Sequence, residues 1–308
     1  MNPKKGIAFA LLAVLLWSAA GFLCTHGLAA QRGLSSLEGT FVRIVVNLVF
    51  VLFVQFVLRG ERRLPWGSGG LDLWAWGCLG ALTIVTYFAS IQALGPGEAT
   101  LLQGVQGLVV AALAPFLLGQ RSGWMSWAAI GGGLFGLRLS LAPSAGNGSA
   151  WEGRALALAS GVFAGLAYLL LSAVRGKHRP DTISFYWCLV SLLLTLGIAL
   201  LWRAPLTFAG PALPWLLSAG LAGSLAQWFT TLAYQTAPAA PVASTAYLIP
   251  LLSLAWESME GARHLHGQML IGAGLVLISG LGLPYLQARR GGLTTTPPFL
   301  STGGEVQG

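Results

Sequence analysis

Neutral hydrogen-bonding side chains stand three or four residues apart at several places in an otherwise apolar chain. They are Gln103 with Gln106, Ser244 with Tyr247, Tyr168 with Ser172 and Gln227 with Thr231, while Trp17 adjoins Ser18. Spacings of i, i+3 and i, i+4 put each pair on one face of a helix. Charges among them are few: Arg43 in FVRIVV, and Glu257 seven residues after Pro250 in YLIPLLSLAWESMEG. Amides, hydroxyls and aromatic rings with one guanidinium suit the binding of a small amphipathic or zwitterionic solute. They suit hydrolysis poorly, because that needs a nucleophile with its base, or a metal. His178, His264 and His266 fall in connections and His26 at a helix end, and no HExxH, GxSxG or phosphate-binding glycine loop occurs. An enzyme and ATP coupling within this chain are both disfavoured, and neither a metal nor a cofactor is expected.

The elements that must hold these residues are set by the solvent. The chain is 55% hydrophobic and only 8% charged, against about 25% charged in ordinary soluble domains. Apolar runs long enough to cross a bilayer as helices recur from end to end. Their ranges are 6–28, 37–58, 71–92, 97–118, 124–142, 153–173, 181–202, 212–234, 239–260 and 266–286. This predicts an all-α integral membrane protein with ten transmembrane helices, the lipid bilayer as its surroundings and the inner (plasma) membrane as its location. The first run reads as a retained helix rather than a cleaved signal. Residues 287–308 read as a disordered tail, rich in Pro and Gly. Cys24, Cys78 and Cys188 lie in apolar runs and match no metal or redox spacing.

The net charge of +8 does not point to nucleic acid, because the basic residues cluster between spans. With the N-terminus inside, the cytoplasmic side holds Lys4, Lys5, Arg59, Arg62, Arg63, Arg121, Arg175, Lys177, Arg179, Arg289 and Arg290. The outer side holds only Arg32, Arg138, Arg154, Arg203 and Arg263. The positive-inside rule then places both termini in the cytoplasm.

The chain also repeats itself. YFASIQAL at 87–94, with Tyr87 at its head, precedes WFTTLAYQ at 228–235 by 141 positions, and IGGG at 130–133 precedes IGAG at 271–274 by the same offset. That offset maps Gln103 and Gln106 onto Ser244 and Tyr247. Residues 6–142 and 153–286 thus read as two five-helix repeats. An odd number of spans makes the second repeat inverted, an arrangement that places a transporter's site near the midplane between repeats.

LLWS at 15–18, FVRIVV at 41–46, LLGQR at 117–121, YLIPLLSLAW at 247–256 and IGAGLVLISG at 271–280 together resemble the EamA-type transporters of the drug/metabolite transporter superfamily. The resemblance covers residues 6 to 286. It implies ten helices in two inverted repeats, an arginine role early in the second helix, and export as the direction. The family's Gly-Glu pairs at the ends of helices four and nine are here Gly119-Gln120 and Gly261-Ala262, so a mechanism relying on those carboxylates does not carry over.

Several readings stay open on sequence alone. Pro250 bends helix nine either beside the transport path or merely for packing. Arg43 either pairs with Glu257 at similar depth or snorkels alone. Each polar face, with Gly220 and Gly223 above Gln227, serves either a ligand or close helix packing. The expected protein is an alternating-access carrier, with a channel as rival. Its expected partners are a small-molecule substrate, such as an amino acid, and the bilayer. Coupling to protons or to the substrate gradient alone, and a monomeric or homodimeric state, complete the expectation.

Overall fold

The computed structural model describes residues 3–30, 36–94, 96–119, 124–140, 150–174, 176–201, 210–259, 271–272 and 274–279. All regular elements among them are helical. They are α1 (Pro3–Ala30), α2 (Ser36–Phe53, continued as a π turn Val54–Leu58), α3 (Leu71–Leu94), α4 (Pro96–Gln103) and α5 (Gln106–Leu118). Then come α6 (Trp124–Ser140), α7 (Ala150–Ala173), α8 (Pro180–Leu201), α9 (Leu213–Thr236), α10 (Ala239–Thr245) and α11 (Leu248–Met259). Most of residues 271–279 are helical too. Five of these helices are, by length and composition, able to cross a membrane: those holding Lys4–Cys24, Leu37–Leu58, Leu71–Ser90, Trp151–Ala173 and Pro180–Leu201. The tail after 280, His264 and His266 lie outside the described residues.

Two spans are broken, at matching places. Span four consists of α4 and α5, separated by Gly104 and Val105, where Val105 N–H donates to the Leu102 carbonyl (3.2 Å) and Gly107 N–H to that of Gly104 (3.2 Å). Span nine consists of α10 and α11, separated by Ala246 and Tyr247, with Ala246 N–H donating to Ala243 (3.2 Å) and Ile249 N–H to Ala246 (3.1 Å). These i→i+3 bonds tighten the chain at both breaks. Pro250 stands in the first turn of α11 rather than at a mid-helix bend. Lacking an N–H, it cannot bind the Ala246 carbonyl four residues back, and the Ile249 N–H takes that carbonyl instead. The disruption therefore falls ahead of the proline.

Helix contacts come in pairs that exchange when the halves are swapped. α1 lies along α9 as α3 lies along α7, and α2 meets α9 as α3 meets α8. α4 and α5 rest on α7 as α10 and α11 rest on α1, while the pair α2 with α8 maps onto itself and the two broken spans meet through α5 and α10. Glycine permits the closest approaches: a Cβ at Gly6 would run into Ala237.

Burial is uneven along the bundle. The end where α1, α3 and α8 begin carries Lys4, Lys5, Arg59, Arg62, Arg63 and Arg179 and is called here the basic end. The largest hydrophobic core belongs to that half and includes Ala10, Val51, Leu73, Trp76, Leu118, Leu171, Ile183, Tyr186, Ala237 and Val242. A polar clasp overlies it. Asp181 is buried, with Arg59 Nη1 at 3.2 Å and Arg179 Nη2 at 3.3 Å, though neither carboxylate oxygen has a well-aligned hydrogen bond. Arg179 also reaches Glu61 (2.7 Å), and Gln55 donates to Glu61 (2.8 Å). His178 Nε2 meets Asp72 Oδ2 at 2.9 Å, and Gln235 Nε2 donates to the His178 carbonyl at 3.1 Å. The connection between α7 and α8 is thus tied to the start of α3 and the end of α9.

Candidate solute site

Arg43 is the centre of the mid-bundle arrangement. It projects from α2, and its Cζ lies 4.5 Å from the Trp17 ring centroid and 5.9 Å from that of Trp187. Distances of this order give a cation–π attraction of about 0.5–2 kcal/mol, larger where water is excluded. The Arg43 Nε is buried and has no hydrogen-bond partner among the described residues. Its electrostatic neighbours among the described residues are Cys24, Tyr168, Tyr87 and Cys188, none of them a carboxylate. The guanidinium lies level with Trp17, near the middle of α1.

Around Arg43 the aromatic residues are fixed by hydrogen bonds and stacking. Trp17 Nε1 donates to Thr230 Oγ1 on α9 at 3.2 Å. Tyr87 Oη and Thr100 Oγ1 lie 2.7 Å apart, joining α3 to α4. Tyr168 stacks on Tyr234 with centroids 4.7 Å apart and planes 9° from parallel. Trp17, Arg43, Tyr87 and Tyr168 all stay half-buried inside the bundle. Side chains that gather round a guanidinium and keep part of their surface accessible are those between which a solute hollow can lie, and the large basic-end core packs to one side of them.

The remaining sequence candidates divide. Gln103 spends its amide between helices: Nε2 donates to Ser160 Oγ (2.9 Å), which donates to the Thr83 carbonyl (3.0 Å). Gln106 is half-buried at the start of α5. Gln227 is buried, and its carbonyl accepts from Thr231 Oγ1 at 3.0 Å. Ser244 is turned onto its own helix, donating to the Pro241 carbonyl at 2.9 Å. Ser18 does the same to Leu15 (2.8 Å). Tyr247 donates to the Gly104 carbonyl at 3.0 Å, across from one broken span to the other. Its ring fills a socket where a Cβ at Gly107 would strike the phenol and one at Gly133 would lie 2.8 Å from Cδ2. The side chains of Pro250 and Glu257 lie outside the described residues, as therefore does an Arg43–Glu257 pair.

The two glycines of α9 differ as well. A Cβ at Gly220 would lie 2.9 Å from Val46 Cβ, which makes it a packing glycine. At Gly223 the nearest atoms would be Arg43 Nε (3.6 Å) and Trp17 Cζ3 (3.8 Å), so this glycine borders the site. Trp187, Thr230 and Tyr234 are neighbours that sequence reasoning missed. The available signal for Trp187 was the aromatic run FYW at 185–187 in span seven, the repeat counterpart of the span bearing Arg43.

Comparison with known proteins now decides the family. The model of the EamA-like transporter family matches twice, over residues 4–142 and 151–283. The chain belongs to the EamA-like transporter family. It is 32% identical over 213 residues to a riboflavin transporter of Rhizobium johnstonii, covering 69% of each chain. It is 25% identical over 291 residues to an uncharacterized transporter of Helicobacter pylori, covering 91% of this chain and 95% of that one. Identity to a pseudopaline exporter of Pseudomonas aeruginosa is 26% over 291 residues, covering 90% and 96%. A solved structure described only as "Crystal structure of protein" shares the fold with a TM-score of 0.79 at 19% identity, covering 93% of this chain and 98% of that one. The protein is therefore a multi-pass, all-helical membrane transporter of small solutes and not an enzyme.

Proposed function

We propose that this transporter is a secondary carrier for a small amphipathic solute bearing a carboxylate, such as an amino acid, held in the mid-bundle hollow by Arg43. The observation that carries this reading is a half-buried guanidinium set among aromatic rings, with no carboxylate among its described neighbours. An incoming carboxylate would complete its hydrogen bonding, while Trp17, Tyr87 and Tyr168 accept an apolar or aromatic body. Both termini are taken as cytoplasmic on the distribution of Lys and Arg, so the hollow is closed towards the cytoplasm. The carrier then works by alternating access, without a cofactor, driven by protons or by the solute gradient alone, as a monomer or homodimer. Export is supported by the name of one relative and by the family resemblance. The relatives' names differ in solute, so family membership alone does not choose one.

The test is counterflow in proteoliposomes with labelled amino acids, followed by nucleobases and organic cations. Saturable exchange of an amino acid, weakened at least tenfold by Arg43→Ala while a neutral solute is spared, is the expected result. Equal loss for both solutes makes Arg43 structural and removes the carboxylate from the reading. Unsaturable flux without counterflow would make the protein a channel.

A further inference from the structure

We infer that Trp187 is a positioning residue that fixes how Arg43 presents its N–H edge, and thereby sets the preference for a carboxylate over its neutral counterpart. This deepens the proposed function and rests on Arg43 as the anchor.

Trp187 cannot be a ligand in this arrangement, because it is 4% exposed. Its indole is seated directly on the backbone of α3. A Cβ at Gly80 would run into Trp187 Cδ1 and lie 2.5 Å from Nε1. A ring held this tightly is a fixed surface, and Arg43 lies 5.9 Å from its centroid. Trp17, the other ring against Arg43, is fixed as well, through its bond to Thr230. A Cβ at Gly223 would lie 3.6 Å from Nε, so the guanidinium runs along the face of α9 between the two indoles. An arginine on an open helix face would sample many rotamers. One held by two immobilised indoles offers its fork of N–H donors in a single orientation, and that fork matches a carboxylate bidentately. Span two supplies the charge and span seven, its repeat counterpart, supplies the surface that orients it.

The probes are L-phenylalanine and L-phenylalaninamide, which differ only in carboxylate against amide. Equilibrium binding of each is measured to the full-length protein in detergent. Trp187→Leu removes one cation–π contact. It is expected to weaken L-phenylalanine by about 2- to 30-fold, the range that a contact of this kind supports, and the amide by less than about twofold. Trp187→Phe keeps an aromatic face and recovers part of the loss, which also serves if the leucine variant folds poorly. In an Arg43→Ala background, Trp187→Leu has no further effect on the ratio between the two probes. Equal weakening of both probes, or an undiminished ratio in the leucine and phenylalanine variants, overturns the positioning role while leaving Arg43 as anchor. If Arg43→Ala itself leaves the ratio unchanged, or the unaltered protein shows no preference for the acid, the reading beneath it fails too.

Discussion

Tyr247→Phe is the substitution that best separates a ligand from a clasp. The phenol donates to the Gly104 carbonyl at 3.0 Å, and the residue is 3% exposed. That carbonyl also accepts the Gly107 N–H at 3.2 Å, so removing the hydroxyl does not orphan it. The loss should then be that of one ordinary buried hydrogen bond, about 0.5–1.5 kcal/mol, or about 1–4 °C in the thermal midpoint of a chain this long. The neighbouring Gly107→Ala adds a Cβ whose nearest atom is the same hydroxyl oxygen. Overpacking there costs about 1–3 kcal/mol, offset by about 0.5–1 kcal/mol of helix preference for Ala over Gly. In the double variant the oxygen is gone, and the nearest ring atom, Cζ, lies 3.1 Å from the Cβ. The double variant should therefore be no less stable than Tyr247→Phe alone, a coupling of the size seen between touching residues. The assay is thermal unfolding in detergent, beside KM for one solute in proteoliposomes. KM should change by less than about twofold. Strictly additive destabilisation would refute the shared socket. A tenfold rise in KM at unchanged midpoint would restore Tyr247 as a solute ligand.

Two further outcomes follow from the same geometry. Gly220→Ala should lower stability by about 1–3 kcal/mol, since its Cβ would press on Val46 at 2.9 Å, whereas Gly223→Ala, with nothing nearer than 3.6 Å, should stay within about 0.5 kcal/mol in thermal unfolding. Releasing the basic-end clasp with Asp72→Ala and Gln235→Ala should speed maleimide labelling of Cys188 from that side by about tenfold, the population shift given by about 1.4 kcal/mol; an unchanged rate would show that the clasp does not hold that end shut.

Span count, family and the twofold offset were legible because each is written in long apolar runs that a bilayer demands. Arg43 was legible for a related reason: a charge inside such a run stands out. Individual roles were less so. Ser244 and Gln103 carry the polar atoms a ligand would need, yet their side chains bond within the protein, and residue type cannot distinguish the two uses. Pro250 signalled an irregularity whose position follows from the carbonyl four residues earlier, not from the proline itself. The break at Gly104 has no proline to announce it, and only the offset of 141, which maps Gly104 and Val105 onto Thr245 and Ala246, could have located it. Trp187 became visible only when span seven was set against span two.

The repeats also show where symmetry is abandoned. At the offset of 141, Asp72 corresponds to Leu213 and Gln235 to Leu94. The residues that grip the α7–α8 connection at the basic end therefore have apolar counterparts at the other end. In the alternating-access reading proposed above, the clasp described at the basic end adds its free energy to the state closed at that end. Two related halves thus need not spend equal time open to each side. The solute site has the same character. Arg43 comes from one repeat and Trp187 from the other, so the pair exists only where the halves meet, and its geometry changes whenever they move relative to one another.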